Sequence, residues 1–308
     1  MYCTGFADEA ADTIDGQIAA TKELGWTWIE ARRCGSANIH DIPDAEFEQA
    51  AAQCQAAGVG INCFGSAIAN WAKSIEKPND DSLAEARRAI PRMKRLGTTL
   101  IRIMSYAIRR DADGKIHSDQ MESERFRRLR ELVALFIDAG ITPVHENCMN
   151  YGGMGLTYTR KLIDAVPGLK LVYDTGNPTH SEDVQASAGA DGKRPLQSSW
   201  DFYQHVREHI AYVHIKDGKL GPDGKHVHTW PGEGAGDVRR IIKDLLQRGY
   251  NGGFSMEPHL AVVHHDPAIT SPVAIRHANY VEYGRRFEAI LATAKAEIMR
   301  ERAATIPG

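Results

Sequence analysis

Four side chains of metal-ligand type stand at the ends of short apolar segments between residues 144 and 259. The segments read VHEN, VYD, VHIKD and SMEPH, and the side chains are Glu146, Asp174, His214 and Glu257. Three carboxylates with one imidazole suit Mn²⁺, Mg²⁺ or Co²⁺, whereas a set rich in thiolates would favour zinc. We therefore predict a site for one divalent metal ion, with Mn²⁺ first and Mg²⁺, Co²⁺ or Zn²⁺ as alternatives.

Each of the four residues also has an ordinary structural explanation. A carboxylate at the end of a strand often caps the next helix or pairs with a cation. A single match would carry little weight, but four ligand-type residues in register on successive strands are hard to obtain in that way. The prediction of a metal site therefore depends on where the strands lie.

The elements that position these residues are short apolar, β-branched segments that alternate with longer amphipathic stretches. Such alternation is typical of parallel strands joined by crossover helices. Several helix-to-strand junctions contain a glycine at the place where the helix ends, as in QAAGVGINC and KRLGTTLIR. We predict eight strands, over residues 2–6, 26–30, 60–64, 100–104, 142–146, 169–174, 211–216 and 253–257.

Eight strands in strict alternation favour a closed (β/α)8 TIM barrel of the α/β class over an open doubly wound sheet. No GxGxxG follows the first strand, so a dinucleotide fold has little support. Because no Pro/Gly/Ser-rich linker divides the chain, we predict a single barrel domain over residues 1–290 and a charged helical tail over 291–308. The C-terminal strand ends of a barrel converge on one mouth, where the four ligand-type residues would meet.

Two loops that follow predicted strands are long or rich in glycine. The stretch 180–199 contains ASAGADGKRPLQSS, and the stretch 149–156 contains NYGGMGL. A loop of this kind after a barrel strand either covers a substrate or is a mobile insertion. Both explanations fit the sequence equally well.

The composition excludes several classes of partner. A formal net charge of -3 and a pI near 6.5 predict no basic surface for nucleic acid or an anionic membrane. No apolar run approaches the length of a membrane span, and the first residues lack the features of a signal peptide. The five cysteines show neither zinc-ligand spacing nor an even count, which indicates reduced thiols. We predict a cytoplasmic protein.

The sequence resembles the xylose-isomerase-like barrel superfamily, in its sugar phosphate isomerase/epimerase branch, over nearly the whole chain. The motifs that carry the resemblance are GFADEAAD, HEN, DTGNP, HIKD, PGEGAGD and MEPH. The resemblance implies a metal tetrad of Glu146, Asp174, His214 and Glu257, the residues that the strand ends also select. It further implies that Glu146 and Glu257 are an acid/base pair, which exchanges a proton with the carbon next to a carbonyl.

One position departs from the epimerase pattern of the family. Three residues after Asp174, where many sugar epimerases have His, this sequence has Asn177, and His180 is a candidate replacement from the loop. Some lyases of the family use an additional base near the metal, which makes His145 a second candidate catalytic residue. Strand alternation turns His145 away from the mouth if Glu146 points inward, so a packing role is preferred for it.

Other polar residues near the strand ends are candidate substrate ligands. Lys216 is the best of them, because it lies two residues after His214 on a strand and should point the same way. A salt bridge explains Glu30 and Arg32 almost as well as substrate binding does. The predicted substrate-binding residues are Glu30, Arg32, Ser66, Asn177, Lys216, His228 and Glu233.

The resemblance implies a small sugar or keto-sugar as substrate, and two reactions fit it. The first hypothesis is a metal-dependent isomerase or epimerase, and the alternative is a lyase or dehydratase acting by β-elimination on a keto-inositol or 3-keto-glycoside, including C-glycoside cleavage. A related endonuclease would need a basic surface, and a barrel that only senses sugar would need an incomplete tetrad. Barrels of the family are often dimers or tetramers, so a homo-oligomer is possible. No phosphate-binding loop stands out, which favours an unphosphorylated substrate.

Overall fold

Eight parallel strands form the central sheet of the computed structural model, which describes residues 1–35, 37–190, 192–264 and 266–304. The strands are β1 (Tyr2–Gly5), β2 (Trp28–Ala31), β3 (Gly60–Gly65), β4 (Leu100–Ile103), β5 (Thr142–Glu146), β6 (Lys170–Asp174), β7 (Ile210–Ile215) and β8 (Gly253–Met256). Their order in the sheet is β1-β8-β7-β6-β5-β4-β3-β2. A parallel bridge between Phe6 and Glu30 joins the ends of β1 and β2, so the barrel is nearly closed.

Helices follow the strands around the outside. They are α1 (Ile14–Glu23), α2 (Asp44–Ala57), α3 (Asp80–Leu96), α4 (Glu122–Asp138), α5 (Leu156–Ala165), α6 (Ser199–Val206), α7 (Val238–Gln247) and α8 (Val273–Ala304). The prediction of a single-domain (β/α)8 barrel is confirmed, and each predicted strand lies within two residues of an observed one. The glycine signal is also confirmed: Gly58 and Gly97 end α2 and α3 in the left-handed region, with φ of 67° and 70°.

A small apolar cluster inside the barrel lies apart from the main core. It consists of Cys63, Val144, Val172 and Tyr212, all buried. The last three each lie two residues before a predicted metal ligand on β5, β6 or β7, and side chains two apart on a strand face the same way. The predicted ligands therefore lie next to an apolar layer inside the barrel.

The loops after the strands carry short elements of their own. Antiparallel pairs join Arg33–Cys34 to Ala37–Asn38, Gly218–Leu220 to His226–His228, and Val262–Val263 to Asp266–Thr270. Short 3-10 helices lie at Ala7–Glu9, Gly152–Met154, Asn177–His180 and Arg207–His209. The long loop after β6 is tied across its base by an antiparallel bridge between Glu182 and Leu196, and its residue 191 lies outside the described residues.

The last helix is continuous across the predicted tail boundary. Residue 290 falls inside α8, and Ala294 and Ile298 beyond it are buried. Lys243 of α7 bridges to Glu297 over 2.9 Å, so this part of α8 packs on the barrel. Residues 305–308 lie outside the described residues. Within the described chain, no helix combines the length and the apolar character that crossing a membrane requires.

Candidate metal centre and its cavity

The four predicted ligands meet at the C-terminal end of the barrel. Glu146 ends β5, Asp174 ends β6, His214 lies near the end of β7, and Glu257 directly follows β8. One ligand atom from each lies within 4.8 Å of the others, and all four side chains are buried. His214 Nδ1 is 3.7 Å from Glu146 Oε1 and 3.7 Å from Glu257 Oε2. The fold thus gathers the four residues that the strand ends selected.

Two buried atoms of this cluster fit the coordination of a cation. His214 Nδ1 and Asp174 Oδ2, 4.0 Å apart, have no hydrogen-bond partner among the described residues. On the other side of the ring, His214 Nε2 lies 3.1 Å from Glu30 Oε2. Because a carboxylate only accepts, Nε2 carries the proton of the neutral ring and Nδ1 turns a lone pair toward the carboxylates. The donor set therefore fits a divalent metal ion.

The carboxylates of Glu30 and Glu146 favour protonation of His214 when no metal ion balances their charge. Burial acts to lower the pKa of His214, but Glu30 and Glu146 raise it to about 10. Metal binding at Nδ1 would therefore release a proton, as is usual for imidazole ligands.

Each glutamate of the cluster binds an arginine through one oxygen. Arg102 Nη1 donates to Glu146 Oε2 over 2.8 Å, and Arg32 Nη1 donates to Glu257 Oε1 over 3.0 Å. The other oxygens, Glu146 Oε1 and Glu257 Oε2, are those that face His214. Burial acts to raise the pKa of Glu146, but Arg102 and His214 lower it to about 2. This carboxylate is ionised at neutral pH.

The ring of Phe6, just after β1, lies against both arginines. Arg32 Cζ is 4.2 Å and Arg102 Cζ 5.2 Å from the ring centroid, within the range of cation–π contacts. The edge of the ring also meets His214, with centroids 5.0 Å apart. Arg102 was not predicted as a site residue. Its charge inside the apolar strand LIRI was a signal, because a buried charge requires a partner.

Lys216 joins two of the carboxylates. Its Nζ donates to Glu257 Oε2 over 2.8 Å and lies 3.0 Å from Asp174 Oδ2, without the angle of a hydrogen bond. Burial acts to lower the pKa of Lys216, but Asp174 and Glu257 raise it, so the ammonium stays charged. Burial raises the pKa of Asp174 to about 7, with Lys216 opposing the rise and Glu257 adding to it. Burial acts to raise the pKa of Glu257 as well, but Lys216 and the other cations hold it well below its ordinary value.

The motif GFADEAAD supplies carboxylates that hold the site from the side. Asp8 accepts two hydrogen bonds from Arg32, of 2.9 and 3.0 Å. Glu9 Oε1 lies 2.9 Å from His259 Nδ1, and Glu9 Oε2 accepts from the His259 backbone N–H. Glu9, Glu257 and His259 form a second trio of ligand type. Arg32 forms ion pairs with both glutamates of this trio, so its guanidinium group already balances their charge.

A cavity of about 360 Å³ opens over the cluster, which is the size of a small-ligand site. Seven residues that were predicted from the sequence as site residues line this cavity. These are Arg32, Glu146, Asn177, His180, Lys216, His228 and Glu257. Lining residues that were not predicted include Asn38, Trp71, Arg102, Cys148, His226 and His259.

Asn177, three residues after Asp174, binds the cluster itself. Its Nδ2 donates to Glu146 Oε1 over 3.1 Å, and its backbone N–H donates to Asp174 Oδ1 over 2.7 Å. His180 lies one turn further along the same 3-10 helix. This position therefore carries an amide, which does not titrate, and the imidazole of His180 lines the same cavity.

Four histidines line one wall of the cavity. The centroids of His180 and His226 are 4.6 Å apart, those of His226 and His228 4.8 Å, and those of His228 and His259 5.1 Å. Burial, followed by the Lys216 ammonium, lowers the pKa of His180 to about 3. Burial and His259 lower the pKa of His228 to about 2. Both rings are neutral, and the Nδ1 atom of each lacks a partner in the described structure.

Three residues predicted near the substrate lie outside the lining of this cavity. His145 is buried behind β5, with Nε2 2.9 Å from Ser105 Oγ and 3.0 Å from Asn150 Oδ1, as strand alternation predicted. Glu30 is fully buried between His214 and Ser255, and thus supports a predicted ligand. Ser66 donates its hydroxyl to the Arg102 carbonyl.

Glu233 also lies away from the cavity, because Asp217 organises the PGEGAGD loop around itself. Asp217 accepts hydrogen bonds of 2.8 to 3.0 Å from four backbone N–H groups in Gly218, Gly232, Gly234 and Gly236. Glu233 is left on the outer side, where its 52% exposed side chain pairs with Arg286 over 2.9 Å. Its placement differs from the prediction because the loop turns inward through its glycines.

A match to a protein-family model over most of the barrel assigns the chain to a family. Residues 18–274 match the family model described as xylose isomerase-like TIM barrel. The chain belongs to this family. The resemblance that the motifs predicted is therefore confirmed. No curated protein sequence matches the chain.

Solved structures share the fold at low sequence identity. A xylose isomerase-like TIM barrel protein from Mycobacterium smegmatis, in complex with magnesium, has a TM-score of 0.65 and 18% identity, covering 96% of this chain and 97% of that one. A D-tagatose 3-epimerase-like protein has a TM-score of 0.68 and 14% identity, with coverage of 97% and 100%. A probable 3-DHS dehydratase from Bacillus anthracis has a TM-score of 0.63 and 16% identity, with coverage of 91% and 97%. The shared fold thus accompanies more than one reaction.

Proposed function

We propose that the protein is a divalent-metal-dependent isomerase or epimerase of a ketose or keto-sugar. The observation that carries the proposal is the pair of buried glutamates, Glu146 and Glu257. Each is bound by an arginine through one oxygen and turns the other toward His214. Mn²⁺ is the proposed cation and Mg²⁺ the next choice, because oxygen ligands dominate the set. The magnesium of the Mycobacterium smegmatis protein supports a divalent cation, and the epimerase-like neighbour supports the proposed reaction.

The proposed reaction moves a proton on the carbon next to a carbonyl. A bound cation would supply charge stabilisation to the substrate oxygens. Glu146 or Glu257 takes the proton as an ionised carboxylate. In an isomerisation the same glutamate returns that proton to the neighbouring carbon, and in an epimerisation the other glutamate, after taking a proton from solvent, delivers it to the opposite face. The arginines hold each carboxylate in one orientation, with one oxygen of each turned toward the centre of the cluster. Lys216, which lines the cavity, would donate a hydrogen bond to a substrate oxygen as negative charge develops there.

The alternative is a lyase or dehydratase. Two neighbouring residues of the cavity wall, Asn177 and His180, favour this alternative. Asn177 cannot exchange a proton, whereas His180 offers a neutral imidazole with an unpartnered Nδ1. In this alternative His180 acts as a neutral base that removes the proton next to the carbonyl. The bond between the neighbouring carbon and the leaving oxygen then breaks, and water protonates that oxygen. The dehydratase among the structural neighbours supports this candidate.

The test is proton-exchange NMR in D₂O with Mn²⁺-loaded and metal-stripped protein, on a panel of ketoses and 3-keto-glucosides. Deuterium entering a ketose at the carbon next to the carbonyl, with no group lost, is the expected result. Release of an aglycone or formation of an unsaturated product would move the assignment to the lyase. Glu146→Gln should abolish exchange, whereas Glu233→Gln, the same change on the outer surface, should retain it. Exchange that persists in Glu146→Gln would contradict the proposal.

A further inference from the structure

A second, larger groove adjoins the cavity over the cluster. Its volume is about 1090 Å³, against about 360 Å³ for the cavity. Trp71, Met149 and His180 line both, so the two spaces share a wall. A single sugar unit bound over the carboxylates would leave the groove to solvent.

The groove has apolar side chains drawn from three different loops. Ile108 and Ile116 come from the loop after β4, Met154 from the loop after β5, and Val184 from the loop after β6. Tyr158 on α5 adds an aromatic ring, which meets the ring of Tyr151 edge-on at 5.3 Å. Apolar groups that line a concave surface favour a ligand with an apolar or aromatic body.

The rim of the same groove is cationic. Arg110, Lys115 and Arg194 line it, against one carboxylate, Glu182. None of the three cations forms an ion pair with a carboxylate in the described part of the chain, whereas Arg109, next to Arg110, pairs with Glu76. A ligand that carries an acidic group would balance this charge.

We propose that the substrate is bipartite: a keto-glycoside whose keto-sugar lies over the carboxylate cluster and whose aglycone, an aromatic group with an acidic substituent, lies in the outer groove. The inference rests on the proposed function, and it names the substrate class of the same site. The three residues shared by the two spaces are the place where the glycosidic linkage passes. The apolar side chains contact the aromatic ring, and the cationic rim faces its acidic group.

The test compares the affinity of Mn²⁺-loaded protein for three probes by calorimetry. The probes are the methyl, phenyl and 4-carboxyphenyl 3-keto-β-glucosides. Burial of a phenyl ring is expected to improve affinity at least about tenfold over the methyl compound. The carboxylate is expected to add roughly twofold to fivefold, because the cations that it meets are exposed. A phenyl compound that binds no better than the methyl compound overturns the proposal.

Two variants locate the gain in the groove. Ile116→Asp should remove the preference for the phenyl probe, and Lys115→Glu should remove the increment from the carboxylate, while methyl glucoside binding stays unchanged in both. Lys22→Glu on α1, which lines neither space, is the matched control. Equal losses for all three probes in Ile116→Asp and Lys115→Glu would contradict a groove that recognises the aglycone.

Deuterium exchange into the methyl probe separates this inference from the proposed function. Tighter binding of the phenyl probe without deuterium exchange would contradict the proposed isomerase or epimerase activity but support the bipartite ligand. Deuterium exchange without tighter binding of the phenyl probe would support the proposed activity and contradict the bipartite ligand. Analytical ultracentrifugation of the same proteins tests whether a second copy of the chain occupies the groove instead. A dimer that Ile116→Asp dissociates would assign the groove to that second copy and overturn the proposal.

Discussion

Replacement of Glu30 by Gln is predicted to weaken metal binding while leaving the cavity intact. Glu30 is fully buried, and its carboxylate lies 3.1 and 3.2 Å from His214 Nε2. It also accepts a hydrogen bond from Ser255. Its charge orients the ring and makes Nδ1 a stronger ligand. Gln keeps the shape and one acceptor oxygen but removes that charge.

The size of the effect follows from this geometry. Mutation of the group that binds a metal-ligating histidine typically costs 10- to 100-fold in metal affinity. Since Gln can still accept one bond from Nε2, we expect the lower end, roughly tenfold or about 1.4 kcal/mol. The assay is titration of metal-free protein with Mn²⁺, with free Mn²⁺ followed by electron paramagnetic resonance. Glu233→Gln is the matched control, and its Kd should stay within about twofold of the wild type.

An unchanged Mn²⁺ affinity in Glu30→Gln would refute this reasoning, provided that the variant is folded by circular dichroism. If the KM for the sugar rose instead, Glu30 would be a substrate ligand, as predicted from the sequence. Measurement of both constants on one preparation distinguishes the two roles.

Three further predictions concern the surroundings of the cluster. Arg102→Met leaves Glu146 buried without its partner and should lower the free energy of unfolding by about 3–5 kcal/mol in urea, whereas Arg95→Met, at an exposed pair, should cost less than about 1 kcal/mol. His145→Leu should cost about 1–3 kcal/mol, because its partners lose a hydrogen bond, yet leave Mn²⁺ affinity unchanged; a drop in affinity would contradict its place behind β5. Mn²⁺ at 100 times its Kd should raise the free energy of unfolding by about 2.7 kcal/mol, and a chelator should reverse the gain. Asp174→Asn should show little or none of this stabilisation, and a full effect in that variant would place the metal elsewhere.

The strands and the residues at their ends could be predicted from sequence because both depend on local pattern. Apolar segments followed by a single polar residue identify a buried strand and the side chain at its mouth, as with Glu146 and Asp174. Alternation within a strand then turned His145 away from the mouth and Lys216 toward it, and the structure places both accordingly. Each of these inferences needs only a few neighbouring residues.

The contacts around the cluster could not be predicted because they join distant parts of the chain. Arg32 meets Glu257 across 225 residues, and His214 meets Glu30 across 184. Which buried charge pairs with which depends on the closed barrel, and no local pattern encodes it. Glu233 lay outside the cavity for a related reason, since the path of its loop is set by the hydrogen bonds that Asp217 accepts.

The most direct test of the central claim is anomalous diffraction at the manganese edge from a crystal grown with Mn²⁺. We predict one strong peak bound at roughly 2.0–2.3 Å by Glu146, Asp174, His214 and Glu257, with His214 coordinating through Nδ1. A peak at Glu9 and His259, or no peak at saturating Mn²⁺, would contradict the assignment of the metal to the four strand ends.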